Sequence, residues 1–245
     1  MMAFLTEPLP RYWMIGLLAG WGLFLFGGFL LGSGDESHRM PTWTRMASSI
    51  ALVIAGWSWF WLARDGEIRP FALFIALGMT FGLLGDLVLA GLLPGGRNVL
   101  AGIAAFGIGH VFYITGILRF GNQYGLNDPG TRWGALVSWL VVGLLGWFFV
   151  VYSGQEPTVL HWAALPYALL LASTAGFATG LAVHSNLFIP LAVGAALFLL
   201  SDLILAAELF NGLSFRSIGD VIWLTYGPGQ MLIVYAIGVA MRFVR

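Results

Sequence analysis

The sequence predicts an all-α membrane protein, a polytopic bundle of eight transmembrane helices arranged as two parallel four-helix repeats. Three observations carry this prediction. Of 245 residues, 59% are hydrophobic and only 9% charged, against about 25% charged in water-soluble domains, and the mean hydropathy is +0.89. The apolar residues run continuously, with no period of two, which argues against an outer-membrane barrel. An aspartate-bearing segment in the third apolar stretch recurs in the seventh. The 11 basic and 11 acidic residues balance, and every basic residue is arginine. This excludes a disordered chain and a basic nucleic-acid binder, both of which need charge in excess or in patches. The absence of cysteine excludes disulfides, thiolate metal sites and cysteine nucleophiles.

A helix needs about 20 mostly apolar residues to cross the hydrocarbon core. Tyr12–Leu31 is the first such stretch; it is too long for the apolar core of a signal peptide and is read as retained. Gly32-Ser33-Gly34-Asp35-Glu36 breaks the chain after it. The second span, Trp43–Ala63, carries Arg45 near its start, a residue that would have to snorkel, and ends at Arg64-Asp65-Gly66-Glu67. Phe71–Leu93 follows, closed by Pro94-Gly95-Gly96-Arg97-Asn98. Val99–Phe120 is separated from Trp133–Tyr152 by Asn127-Asp128-Pro129-Gly130. Leu160–Val183, Leu187–Ala207 and Val221–Phe243 complete the set. No loop is long enough for a soluble domain, so residues 1–245 read as one membrane domain.

Eight spans place both termini on one side. Arg11, Arg64, Arg69, Arg119, Arg132, Arg242 and Arg245 fall on that side, and Arg39, Arg45, Arg97 and Arg216 on the other. The excess predicts cytoplasmic termini, in the inner membrane if the source is bacterial.

Leu83-Leu84-Gly85-Asp86-Leu87-Val88-Leu89-Ala90 aligns without gaps on Leu199-Leu200-Ser201-Asp202-Leu203-Ile204-Leu205-Ala206, an offset of 116, at which Gly78 also meets Gly194 and Ala76 meets Ala192. Four spans per half give parallel repeats, about residues 12–120 and 133–243, related by an axis along the membrane normal. Asp86 and Asp202 should then lie at similar depth and face one another. An aspartate at mid-membrane costs about 2.5–3.5 kcal/mol on insertion scales, so two of them read as a functional pair, one carboxyl protonated and one ionised. That is a general acid beside a general base or cation stabiliser. The structural alternative is that each merely bonds across helices to Ser, Thr, Tyr or Gln.

His110 is the only histidine well inside a span, since His38, His161 and His184 lie in or near loops, and it borders the stripe Gly102, Gly109, Gly116 that suits close helix packing. A buried, hydrogen-bonded histidine and a site residue are both open readings. The repeat offset maps His110 onto Tyr226 and favours the site. Tyr113 lies one turn on. Tyr226 and Gln230 share a face of the eighth span, where they either line the aspartate cavity or act as interhelical glue; Tyr167, beside Pro166, is open in the same way. Arg97 and Arg216, in repeat-equivalent loops, read as solvated charges before they read as phosphate ligands. The eleven tryptophans and nineteen phenylalanines read as lipid-facing and interfacial belts.

Taken together, several segments resemble the lysoplasmalogenase, or YhhN-like, family of eight-helix membrane proteins. They are Gly78 to Asp86 on the third span, Gly102 through His110 to Ile114 on the fourth, Phe198-Leu199-Leu200-Ser201-Asp202 on the seventh, and Thr225-Tyr226-Gly227-Pro228-Gly229-Gln230 on the eighth. Gly-Asp, Gly-His and Ser-Asp in this order are more specific than any one alone. Gly227-Pro228-Gly229 is the point of weakest correspondence and is expected to unwind the eighth helix beside the site. The resemblance implies a hydrolase that cleaves the vinyl ether bond of lysoplasmalogens to a fatty aldehyde and glycerophosphocholine or glycerophosphoethanolamine. A lysophospholipid substrate and the surrounding membrane lipids would then be its partners, with no cofactor, metal or nucleic acid. Asp86 and Asp202 would be catalytic, with His110, Tyr113, Ser201, Tyr226 and Gln230 orienting substrate, water and carboxyls. A proton-coupled transporter of small polar or lipid-like solutes is the alternative, since paired midplane acids in parallel repeats also serve transport. A zinc-dependent amidase resembling the ceramidases would need several histidine ligands, and the spans supply only His110.

Overall fold

A computed structural model of the chain describes residues 8–34, 37–153 and 156–244; Asp35, Glu36 and Arg245, which enter the turn and charge readings above, lie outside them. The first helix, α1, starts as Pro8–Gly22, widens into a π-helical turn at Leu23–Gly27 and closes with Gly28–Leu31. It is followed by α2 (Thr42–Leu62), α3 (Arg69–Leu89) and α4 (Val99–Gln123). Then come α5 (Pro129–Trp147, extended by a π-helical turn at Phe148–Tyr152), α6 (Val159–His184), α7 (Ile189–Asn211) and α8 (Ile218–Phe243). The described residues contain no strand.

The helix ends follow local chemistry. Asn98 accepts Ala101 N at 3.0 Å to start α4, and Asp128 accepts Thr131 N at 2.9 Å to start α5, each satisfying an orphan N–H of the first turn. Thr158 and His161 form a reciprocal capping box on α6. α3 stops at Leu89, short of the expected Leu93, because Gly91 turns left-handed at φ +71° and Leu92 N bonds back to Leu87 O at 3.0 Å. α7 runs past Ala207 to Asn211, where left-handed Gly212 ends it, so Glu208 joins its last turn. α8 stays helical through Gly227-Pro228-Gly229, contrary to the expected unwinding. Neighbouring helices occupy the space that the glycines leave, and this close packing holds the segment.

Seven of the helices are long and apolar enough to cross a membrane, making this an integral multi-pass membrane protein. α2 is the exception. It spans 21 residues, but its first half carries Thr42, Thr44, Arg45, Ser48 and Ser49. Thr42, Arg45 and Ser49 are spaced for one helix face, and that face looks into the protein rather than at lipid.

The helices pack in a closed circuit: α2 on α3, α3 on α4, α4 on α6, α6 on α7, α7 on α8 and α8 back on α2. α1 lies outside against α2, its π turn touching α8, and α5 lies outside against α6 and α7. These outer helices expose Leu23, Leu30, Val137, Val141 and Phe149, side chains suited to lipid contact. Within the circuit, backbones approach closely. A Cβ on Gly194 of α7 would sit 2.7 Å from Gly229 O, and one on Gly229 of α8 would sit 2.9 Å from Gly194 O. Lipid tails are as apolar as leucine, so such contacts, rather than escape from water, hold the helices together.

A candidate active site at two intramembrane aspartates

The two aspartates are held in similar ways. Asp86 of α3, only 5% exposed, accepts two hydroxyl donors on Oδ2, Ser49 Oγ from α2 at 2.6 Å and Tyr226 OH from α8 at 3.1 Å. Asp202 of α7 accepts Tyr167 OH from α6 on Oδ2, while the Ser201 hydroxyl, which donates to Phe198 O at 2.7 Å, lies 3.3 Å from Oδ1. Each carboxyl thus has a tyrosine donor and a serine beside it, and each takes a hydroxyl from the helix before its own. Buried polar groups are costly unless satisfied; here hydroxyl donors meet both.

Behind Asp86 runs a chain of donors pointing one way. Tyr113 OH donates to Gln230 Oε1 at 2.7 Å, Gln230 Nε2 donates to Tyr226 OH at 3.2 Å, and Tyr226 donates to Asp86. With its oxygen accepting from Gln230, the Tyr226 hydroxyl is committed as a donor to the carboxylate. The glycines of α3 make room for this chain: a Cβ on Gly82 would lie 2.7 Å from Gln230 Nε2, and one on Gly78 would overlap the Tyr113 ring.

His110 is 1% exposed and packs edge-on against Phe198 at 4.5 Å between ring centroids, with Tyr113 and Tyr167 further out. The Thr174 hydroxyl donates to Leu170 O at 3.0 Å, so His110 Nδ1, 2.9 Å from Thr174 Oγ1, is the donor of that pair. The Nε2 lone pair is left without a partner among the described residues. Phe198 in turn packs on Tyr226, 5.1 Å between centroids, so His110 reaches the carboxyls through a layer of rings.

Both aspartates line one cavity of about 700 Å³, within the range of small-molecule sites. It lies at the end of the bundle where the α1–α2, α3–α4 and α7–α8 connections meet, and Tyr167 and Tyr226 stand in its wall with the carboxyls. Of the five residues expected to orient substrate, Tyr226 lines the cavity, while His110, Tyr113, Ser201 and Gln230 lie behind the wall. Arg97 lines it and Arg216 does not. Ser49, Tyr167 and Arg45 are site residues that the sequence reading did not assign. The spacing of Thr42, Arg45 and Ser49 on one face was the available signal for α2. Tyr167 offered only a lone hydroxyl in an apolar span.

Asp220 was also unassigned. Fully buried, it accepts Arg39 N at 2.7 Å and Met40 N at 3.0 Å, and Gly219 N donates to Ser37 O at 3.0 Å. These bonds tie the α1–α2 connection to the start of α8 beside the cavity mouth. Among known proteins, no curated sequence and no solved structure matches the chain. The model of the YhhN family matches residues 40–237, which takes in both aspartates and every helix of the circuit at least in part, and the chain belongs to that lysoplasmalogenase-like family.

Proposed function

We propose that the protein is an intramembrane hydrolase that cleaves the vinyl ether bond of lysoplasmalogens, with Asp86 and Asp202 as its acid–base pair. The observation that carries the reading is the shared cavity: two intramembrane carboxyls from different helices, Asp86 buried and Asp202 half-buried, line a space of about 700 Å³ that also has apolar walls. Family membership supports a hydrolase of this kind.

The chemistry needs little else. One carboxylic acid gives its proton to the alkene carbon remote from the ether oxygen, leaving an oxocarbenium ion at the carbon bonded to that oxygen. The other carboxylate stabilises the cation, then takes a proton from the water that adds to it. The carboxyl protonated by that water then gives its proton to the glycerol oxygen as the hemiacetal C–O bond breaks, while the carboxylate that protonated the alkene takes the hemiacetal hydroxyl proton. Fatty aldehyde and glycerophospho-alcohol are released and the shared proton is restored. Ser49, Tyr226 and Tyr167 hold the carboxyls in place throughout, so little reorganisation accompanies charge development.

The test is aldehyde release from a lysoplasmalogen by the purified protein. Asp86→Asn and Asp202→Asn should each lower kcat by about 10²–10⁴-fold, the usual contribution of a positioned acid or base. Wild-type turnover in both would overturn the mechanism. pH-dependent uptake of intact lipid into proteoliposomes, with no aldehyde formed, would replace hydrolysis by transport.

A further inference from the structure

The cavity is chemically uneven. Its acidic and basic lining residues are the carboxyls Asp86, Asp202 and Glu208, the guanidiniums Arg45 and Arg97, and His38, beside the phenols of Tyr167 and Tyr226. The ionised carboxylates repel an anion from most of the wall, so the two arginines decide where one can settle. Arg45, in the first turn of α2, is half-buried. Its Nη2 donates to Thr42 Oγ1 at 3.0 Å, and the guanidinium lies over the Trp223 ring at 5.7 Å. These contacts orient a group with five N–H donors in a planar fork, the geometry that matches phosphate. Arg97 reaches the same cavity from the α3–α4 connection, which is turned back by left-handed Gly91, Gly95 and Gly96. Arg97 is itself exposed, so it meets the cavity at its rim, where a wet head group would enter.

The opposite character gathers around Asp202. Trp147, Val151, Ala164 and Ala168 form an apolar cluster separate from the main core, with Phe210 packed against it, and all five line the cavity. Ala164 and Ala168 flank Tyr167, which holds Asp202. On the other side, Arg45 shares a face of α2 with Ser49, which holds Asp86. The charged wall therefore adjoins one carboxyl and the apolar branch adjoins the other.

We infer that Arg45 and Arg97 form an anion subsite for the phosphodiester of a single-chain lipid whose hydrocarbon chain lies in the α5–α6–α7 branch. This deepens the hydrolase reading and takes the lipid class from it. A ligand so oriented has its head group and chain pinned at opposite walls, with the linkage between them beside the two carboxyls.

Binding to the full chain in detergent, with ligands that carry no vinyl ether, tests the subsite apart from catalysis. The probes are a 1-O-alkyl lysophosphoethanolamine and the matching 1-O-alkylglycerol, which lacks the phosphate. Wild type should bind the phospholipid about tenfold to a hundredfold more tightly, the worth of charge-assisted hydrogen bonds. Arg45→Gln and Arg97→Gln should each shrink that ratio and together abolish it, with alkylglycerol affinity unchanged; Arg45→Lys should retain part of it. Arg216→Gln, outside the cavity, should change neither affinity. A ratio that survives the double substitution overturns the subsite, as does equal weakening of both ligands. Competition by inorganic phosphate as potent as that of the phospholipid would mark a free-phosphate site and overturn the lipid assignment. Turnover retained in Asp86→Asn and Asp202→Asn would sink the hydrolase mechanism while leaving this binding result standing.

Discussion

Tyr226 shows how one side chain ties the site together. Its hydroxyl accepts from Gln230 and donates to Asp86, and its ring packs on Phe106, Phe198 and Trp223. Tyr226→Phe keeps the ring and removes the hydroxyl, leaving Gln230 Nε2 without its acceptor and Asp86 with Ser49 as its one donor. A buried polar group losing its partner costs about 1–3 kcal/mol. If that loss falls on the transition state, kcat drops by about tenfold or more. Thermal unfolding and aldehyde release measured on the same preparation separate the two effects, and an unchanged kcat would show that Ser49 alone positions Asp86. The same residue illustrates what was legible beforehand. The repeat offset paired Tyr226 with His110, yet the structure puts Tyr226 in the cavity wall and His110 behind Phe198. Identical register within two spans does not fix which ring reaches an open space.

At the scale of the helices, the contact between α7 and α8 is sensitive to substitution. Gly194 and Gly229 meet backbone to backbone, and a Cβ on Gly229 would also lie 3.1 Å from Phe198 N. Gly229→Ala must therefore move backbone rather than a flexible side chain, at a cost of about 1–3 kcal/mol for overpacking. The displacement would carry Tyr226 and Gln230 away from Asp86, so activity should fall together with unfolding temperature. Gly20→Ala is the contrast, since nothing lies within 4 Å of the added carbon, and it should leave both unchanged. Element existence was readable from apolar length, and every expected span corresponds to a helix. The ends of α3 and α7 were not, because Gly91 and Gly212 look alike as letters until their left-handed turns are placed. α2 read as a span with an intruding arginine. Its polar half makes sense only once that face is seen to line the cavity.

For the whole molecule, the arginine distribution predicts a testable orientation. The chain lacks cysteine, so single reporters carry no background. With cytoplasmic termini, an impermeant maleimide on intact cells should label Ser214→Cys, in the α7–α8 connection at the cavity end, and spare Asp65→Cys, in the α2–α3 turn. The reverse pattern would invert the topology and put the cavity mouth on the cytoplasmic side. The circuit of six helices also has a consequence for how the site is assembled. The α4–α6 and α8–α2 contacts join the two halves of the chain, so Asp86 from the first half receives Tyr226 from the second. Composition and apolar run length determined that this protein is a helical membrane bundle, because the bilayer tolerates little else for so apolar a chain. The cost of burying charge singled out Asp86 and Asp202 in the same way. Only the tertiary structure decided that the two share a cavity, that Ser49 and Tyr167 hold them, and that Arg45 stands in its wall. Those relations depend on helix rotation and on which spans become neighbours, and both are set by side-chain packing across the bundle rather than by any local pattern.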